Sequence, residues 1–190
     1  MRMLILALPL LLSGCWTPAA PNTVMVMGDS IAVSFSSVFA SVLMARDKAP
    51  LVLNNSLAGM VAGADGANVY WAGRIAEARK HVNNLDTLVV SLGANDVSRL
   101  TRHEISTVLA PALNDIMYAS IGLKVYWVVH ADGKLRNLDE FRRVLYQAAT
   151  YYSHVTVLDL PTGVLGADDI HLTQAGVTLT TEMLLTEMGY

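Results

Sequence analysis

One cysteine, Cys15, stands in a chain of 190 residues, so no internal disulfide can form and the fold has to rest on a buried core. Charge is sparse as well. Charged side chains make up 15%, the formal net charge is -3, and no Lys/Arg run occurs anywhere. A nucleic-acid binder would need such a run as its electrostatic footprint, so no nucleic-acid partner is expected. No apolar run reaches the roughly 20 residues that cross a bilayer. The histidines lack metal-ligand spacing: His81, His103 and His154 fall in predicted helices or at element ends, and no metal is expected. Gly59, Gly63 and Gly66 do not make a G-x-G-x-x-G loop, so nucleotide binding is not expected and no organic cofactor is implied. Ser30 has Ala32 where a G-x-S-x-G elbow needs glycine, which counts against an α/β-hydrolase fold. Internal repeats are absent too. What the chain has in quantity is apolar residues, 53% of the total, enough for one domain with a sizeable core.

The first residues read as a targeting segment. Arg2 precedes the apolar stretch Leu4–Leu12, and small residues follow at Ser13-Gly14, the layout of a secretory signal. Leu12-Ser13-Gly14-Cys15 resembles the bacterial lipobox, which implies that Cys15 becomes the lipidated first residue of the mature chain. An ordinary signal peptide with an incidental cysteine is the alternative. Thr17-Pro18-Ala19-Ala20-Pro21-Asn22-Thr23 is too polar and Pro-rich for a helix and reads as a short tether. The expected organisation is therefore a signal peptide at 1–14, a lipidated cysteine and tether at 15–22, and one domain at 23–190. Export and lipid anchoring to the cell envelope follow. Trp16, rather than aspartate, after the cysteine leans towards the outer membrane or cell surface.

From Thr23 onward strand and helix patterns alternate. Thr23–Met27, Pro50–Leu53, Thr87–Leu92, Leu123–His130 and Val155–Leu160 are apolar strands. Helical spacing covers Ile31–Ala45, Tyr70–Asn84, Thr101–Ser120, Leu138–Tyr152 and about Thr173–Met188. Alternation of this kind makes βαβ units, hence an α/β fold: a three-layer α/β/α sandwich over a five-stranded parallel sheet of flavodoxin-like order. Function in such sheets sits beyond the carboxyl ends of the strands.

The strand-end loops carry a coherent chemistry. Ser30 follows strand one at the start of a helix, where developing negative charge is favoured, although a plain N-cap would read the same way. A serine nucleophile needs a base, and the base needs an orienting carboxylate. His171 is the strand-end histidine with a carboxylate close by, and Asp168 lies three residues before it, on the same side of a tight turn. Capping of the last helix by Asp168 or Asp169 is the bland alternative. Oxyanion donors could come from the Ser30 N–H, the Gly59 N–H and the Asn95 amide; loop flexibility at Gly59 and an Asx turn at Asn95 would explain the same residues. His130 ends strand four on the functional side, where a helix-facing or solvated histidine is the simpler reading. Trp127, Tyr151 and Tyr152 read as core or boundary packing.

Taken together, Gly28-Asp29-Ser30, Asn54-Asn55-Ser56-Leu57-Ala58-Gly59, Gly93-Ala94-Asn95-Asp96 and Asp168-Asp169-Ile170-His171 resemble, in order, the four blocks of the SGNH, or GDSL-type, hydrolases. The resemblance spans nearly all of the mature chain. It implies Ser30 as nucleophile, His171 as general base and then acid, and Asp168 as its orienter. Gly59 and Asn95 are implied as oxyanion donors beside the Ser30 N–H, and Asp29 and Asp96 as organisers of their loops. Ile31-Ala32-Val33-Ser34-Phe35 lacks the glycine common after the serine, and the chain has no inserted lid, so a shallow site for small acyl groups is expected. The function so implied is a serine esterase acting on short acyl esters, such as O-acetyl groups on carbohydrates, or on small esters. An acyltransferase to sugar hydroxyls and a non-catalytic glycan-binding lipoprotein are the rivals. The expected partners are an acylated carbohydrate or small ester and, through Cys15, a membrane, with the protein a monomer.

Overall fold

A computed structural model describes residues 22–46, 51–130 and 133–190. The signal segment, Cys15, most of the tether, Pro50, and Ala131 and Asp132 of the loop after strand four lie outside the described residues. Five strands make one sheet: β1 (Thr23–Gly28), β2 (Leu51–Ser56), β3 (Leu85–Ser91), β4 (Lys124–Val129) and β5 (Val155–Asp159), in the order β2-β1-β3-β4-β5. Every neighbouring pair runs parallel, as the strand–helix alternation predicts, and the order is flavodoxin-like. The helices are α1 (Ser30–Arg46), α2 (Ala67–His81), α3 (Ala94–Arg99), α4 (Arg102–Glu104), α5 (Ala110–Ala119), α6 (Leu138–Ala149) and α7 (Gln174–Met188).

Successive strand residues point to opposite faces of a sheet, so each buried strand feeds two cores. Val24, Val26, Val89, Val128 and Leu158 meet α1 and α7 through Phe35, Phe39, Leu43, Leu184 and Leu185. On the other face Met25, Met27, Leu88, Val90 and Trp127 meet α2, α5 and α6 through Trp71, Ile75, Leu113, Phe141 and Leu145. Phe35 and Phe39 are both 0% exposed. At about 1.5–3 kcal/mol of transfer free energy per buried side chain, they clamp α1, and Ser30 at its start, onto the sheet.

Several boundaries differ from the expected ones for physical reasons. β2 runs to Ser56, three residues past Leu53, because Asn54, Asn55 and Ser56 pair in register with Val26, Met27 and Gly28 of β1; their polar side chains suit a sheet edge. α2 ends at His81, since Val82 is extended and Asn84 takes φ +60. The Asn84 carbonyl then accepts the Thr23 N–H at 2.9 Å, and β3 begins two residues early. The helix expected over Thr101–Ser120 is opened by a Thr101–Glu104 capping box and then broken by a π turn at Ile105–Leu109. Pro111 is the cause: it offers no N–H to the helical ladder and crowds the carbonyl four residues back, and the Ala110 N–H instead reaches five residues back to Ile105. Tyr151 is 75% exposed rather than packed, because it sits in the turn beyond α6, past the end of that helix's buried stripe. Trp127 and Tyr152 do pack against the core.

Candidate active site

β1 delivers Ser30 to the rim of the sheet. Gly28 ends the strand where a Cβ would land on the Ser91 carbonyl oxygen and 2.6 Å from the Ala32 Cβ, so only glycine lets β1 and β3 approach this closely. The Asp29 N–H donates to the Ser91 carbonyl at 2.9 Å, and the Gly28 carbonyl accepts the Leu57 N–H at 2.9 Å. Asp29 is also the residue that caps α1. Its Oδ1 accepts the Ile31 N–H at 3.0 Å and its carbonyl the Val33 N–H at 3.0 Å. The Ser30 hydroxyl is therefore not needed as a cap, and is free for another partner.

That partner is His171. Nε2 of His171 lies 3.1 Å from Ser30 Oγ, and Nδ1 lies 2.6 Å from Asp168 Oδ2. A carboxylate can only accept, so Nδ1 carries the proton; Nε2 is then the acceptor for the Ser30 O–H. Asp168 Oδ1 accepts the N–H groups of Ile170 and His171, each at 3.0 Å. The His171 side chain first, and these two backbone groups next, hold the Asp168 carboxyl well below the usual carboxylate range. Asp169 makes the turn tight by adopting φ +55, a left-handed conformation that aspartate tolerates. Both His171 and Asp168 leave half their side-chain surface in solvent, 52% and 50%, which makes the site open rather than enclosed.

The other two predicted donors lie on loops that begin beside Ser30. Gly59 sits exposed at φ +79 in the turn after β2, whose first residue, Leu57, is hydrogen-bonded to Gly28. Asn95 stands in the first turn of α3, half-buried, and its Nδ2 donates to the Met60 carbonyl at 2.8 Å. One of the two amide hydrogens is thereby used, and the second has no acceptor among the described residues. A short helix, α3, stands where the sequence implies only a strand-end loop; Gly93 makes it possible, because at φ +114 a Cβ would strike the Phe141 ring.

The loop that follows Gly59 is firmly held. Asp96, 0% exposed, accepts the N–H groups of Ala62, Gly63 and Ala64 at 2.6, 2.9 and 2.9 Å. Trp71 Nε1 donates to the Val61 carbonyl at 2.8 Å. With Asn95 on Met60, the loop just after Gly59 is fixed at five consecutive residues. Asp29 is 1% exposed, and its Oδ2 has no hydrogen-bond partner. Burial pushes its carboxyl up to about 7 against the opposing pull of the Ile31 N–H, with the Asp96 charge adding to the rise. His130 is not solvated: it is 4% exposed, with Nε2 2.9 Å from the Ile170 carbonyl oxygen. Its lone position at a strand end offered no spacing by which to find that contact.

No protein-family model and no curated protein matches the sequence. Solved structures match the fold. A carbohydrate acetylesterase from Sinorhizobium meliloti superposes with a TM-score of 0.68 at 14% identity, over 88% of this chain and 98% of that one. The inhibitor-bound aryl esterase of M. smegmatis gives 0.68 at 18% identity, over 88% and 98%. A member of the lipolytic protein G-D-S-L family from Veillonella parvula gives 0.60 at 16% identity, over 87% and 97%. The molecule is thus an α/β/α domain of the SGNH-hydrolase fold, the fold that the four sequence blocks imply, with a Ser-His-Asp hydrogen-bond relay at the rim of its sheet.

Proposed function

We propose that the protein is a serine esterase that cleaves short acyl esters, O-acetyl groups on carbohydrates foremost, through an acyl-Ser30 intermediate. The observation that carries this is the relay Ser30–His171–Asp168 with its 3.1 and 2.6 Å contacts. His171 Nε2 takes the Ser30 proton as Oγ attacks the acyl carbonyl. The tetrahedral oxyanion develops at the α1 N-terminus, where the Ser30 N–H, the Gly59 N–H and the free Asn95 amide hydrogen can serve as donors. His171 then returns the proton to the leaving alcohol. Water, deprotonated by the same nitrogen, releases the acid and restores Ser30. Asp168 stays ionised throughout and keeps Nδ1–H, hence the tautomer, in place.

The half-exposed relay favours a small acyl group on a larger carrier, since the described residues leave about half of the His171 and Asp168 side chains open to solvent. A carbohydrate acetylesterase among the structures of the same fold supports that substrate class. Replacing Ser30 with alanine is expected to remove nearly all turnover of p-nitrophenyl acetate; activity equal to the wild type would reject the proposal. We further propose export and anchoring through Cys15, on the strength of Leu12-Ser13-Gly14-Cys15. Cells fed labelled palmitate should yield a labelled product that Cys15→Ala leaves unlabelled, and an unlabelled soluble product in both would count against the anchor.

A further inference from the structure

The turn bearing His171 is tied to the sheet by a second histidine. His130 follows β4 directly, is 4% exposed, and lies with Nε2 2.9 Å from the Ile170 carbonyl oxygen. A carbonyl can only accept, so Nε2 bears the hydrogen and donates it. That carbonyl belongs to the peptide group whose N–H is His171's own, and the N–H is held at 3.0 Å by Asp168 Oδ1. The Ile170–His171 peptide plane is therefore gripped at both ends, by His130 on the oxygen and by Asp168 on the nitrogen. A fixed peptide plane fixes the direction in which His171 leaves the backbone, and with it the reach of Nε2 towards Ser30.

Among the described residues the turn's other backbone bonds are internal to it. Gly166 N–H donates to the His171 carbonyl at 2.7 Å, and Asp169 N–H to the Gly166 carbonyl at 3.0 Å. They shape the turn without setting where it sits on the sheet. The Lys134–Asp169 ion pair does reach outside it, but Lys134 is 78% exposed, and such a pair holds weakly. His130 is firmly held in turn: its carbonyl accepts Arg142 Nη1 at 2.9 Å, and Arg142 Nη2 donates to Asp159 Oδ2 of β5 at 2.9 Å. A chain of contacts thus runs from β5 through α6 to the end of β4 and on to the catalytic turn.

We infer that His130 is a positioning residue for the reaction, acting through the Ile170 carbonyl to hold His171 Nε2 at Ser30. This rests on the reading of Ser30 and His171 as nucleophile and base. Two amides separate it from a role in stability alone. Glutamine places its side-chain nitrogen where His130 Nε2 stands; asparagine is one methylene shorter and falls short of Ile170. His130→Gln should keep turnover of p-nitrophenyl acetate near the wild-type value. His130→Asn should lower kcat about 10- to 100-fold with KM nearly unchanged, the scale of effect for a small displacement of a reacting group. The rate of fluorophosphonate labelling at Ser30 should fall in parallel. Equal kcat in the two variants, or an asparagine variant as active as the wild type, would overturn the inference while leaving the esterase reading intact if Ser30→Ala is inactive in the same assay. Turnover surviving in Ser30→Ala would overturn both.

Discussion

Ser30 and His171 meet across 3.1 Å, yet the two are held by opposite means. The Gly28-Asp29-Ser30 turn is buried up to its last residue, wedged between β2 and β3 and clamped by the apolar face of α1. The Gly166–His171 turn is half in solvent and gets its shape from hydrogen bonds, chiefly those to the Asp168 carboxylate. One partner is set by packing, where almost no substitution fits. The other is set by directional polar contacts, where the chain tolerates change in volume but not in donors and acceptors. Stability and activity should accordingly respond differently to changes on the two sides.

The largest expected effect breaks the packed side. Gly28→Ala would place a methyl on the Ser91 carbonyl and 2.6 Å from Ala32, which should cost about 3 kcal/mol of unfolding free energy in urea denaturation. Gly166→Ala is its counterpart in the other turn. Among the described residues its Cβ would meet only the His171 carbonyl at 3.4 Å and Asp168 Oδ1 at 3.8 Å, so the change should stay within about 1 kcal/mol. Equal losses in the two variants would erase the proposed contrast. Next in size is Asn95→Ala, which removes the hold on Met60 and, in the proposed mechanism, an oxyanion donor. A fall in kcat on the order of 100-fold is expected in steady-state kinetics; an unchanged kcat would leave Asn95 as a loop anchor only.

The smallest effect concerns Asp29. Its folded-state value is raised to about 7, so the folded protein binds a proton more readily than the unfolded chain does. The stability this contributes is fully present below the ordinary carboxylate range and is lost as pH rises through about 7. Between about pH 5 and about pH 8 the wild type should therefore lose roughly 2–3 kcal/mol that Asp29→Asn does not lose. Parallel pH profiles for the two proteins would contradict the assignment of this slope to Asp29.

Much of this was legible in the sequence, because the signals were either periodic or local. The strand runs Thr23–Met27 and Thr87–Leu92 alternate between two buried faces, and no reading but a covered parallel sheet suits them. Asp168 and His171 lie three residues apart in one turn, so their pairing needs no tertiary knowledge. What stayed hidden depends on contacts distant in the chain. That Asp29 rather than Ser30 caps α1 is decided by where Ser30 can find His171, 141 residues later. Asn54–Ser56 read as loop by composition, and only pairing with β1 makes them strand. The π turn at Ile105–Leu109 needed Pro111 to be read as a helix distortion rather than an ordinary early-helix proline. The Asp96 hold on Ala62–Ala64 and the His130 hold on Ile170 cross between segments more than 30 residues apart.

The central claim is that Ser30 is a nucleophile activated by His171, and covalent trapping tests it most directly. Folded protein treated with a fluorophosphonate and mapped by peptide mass spectrometry should carry one phosphonyl adduct, on Ser30, with labelling greatly slowed in His171→Ala. An adduct on a different residue, or folded protein that takes up no label, would contradict the account.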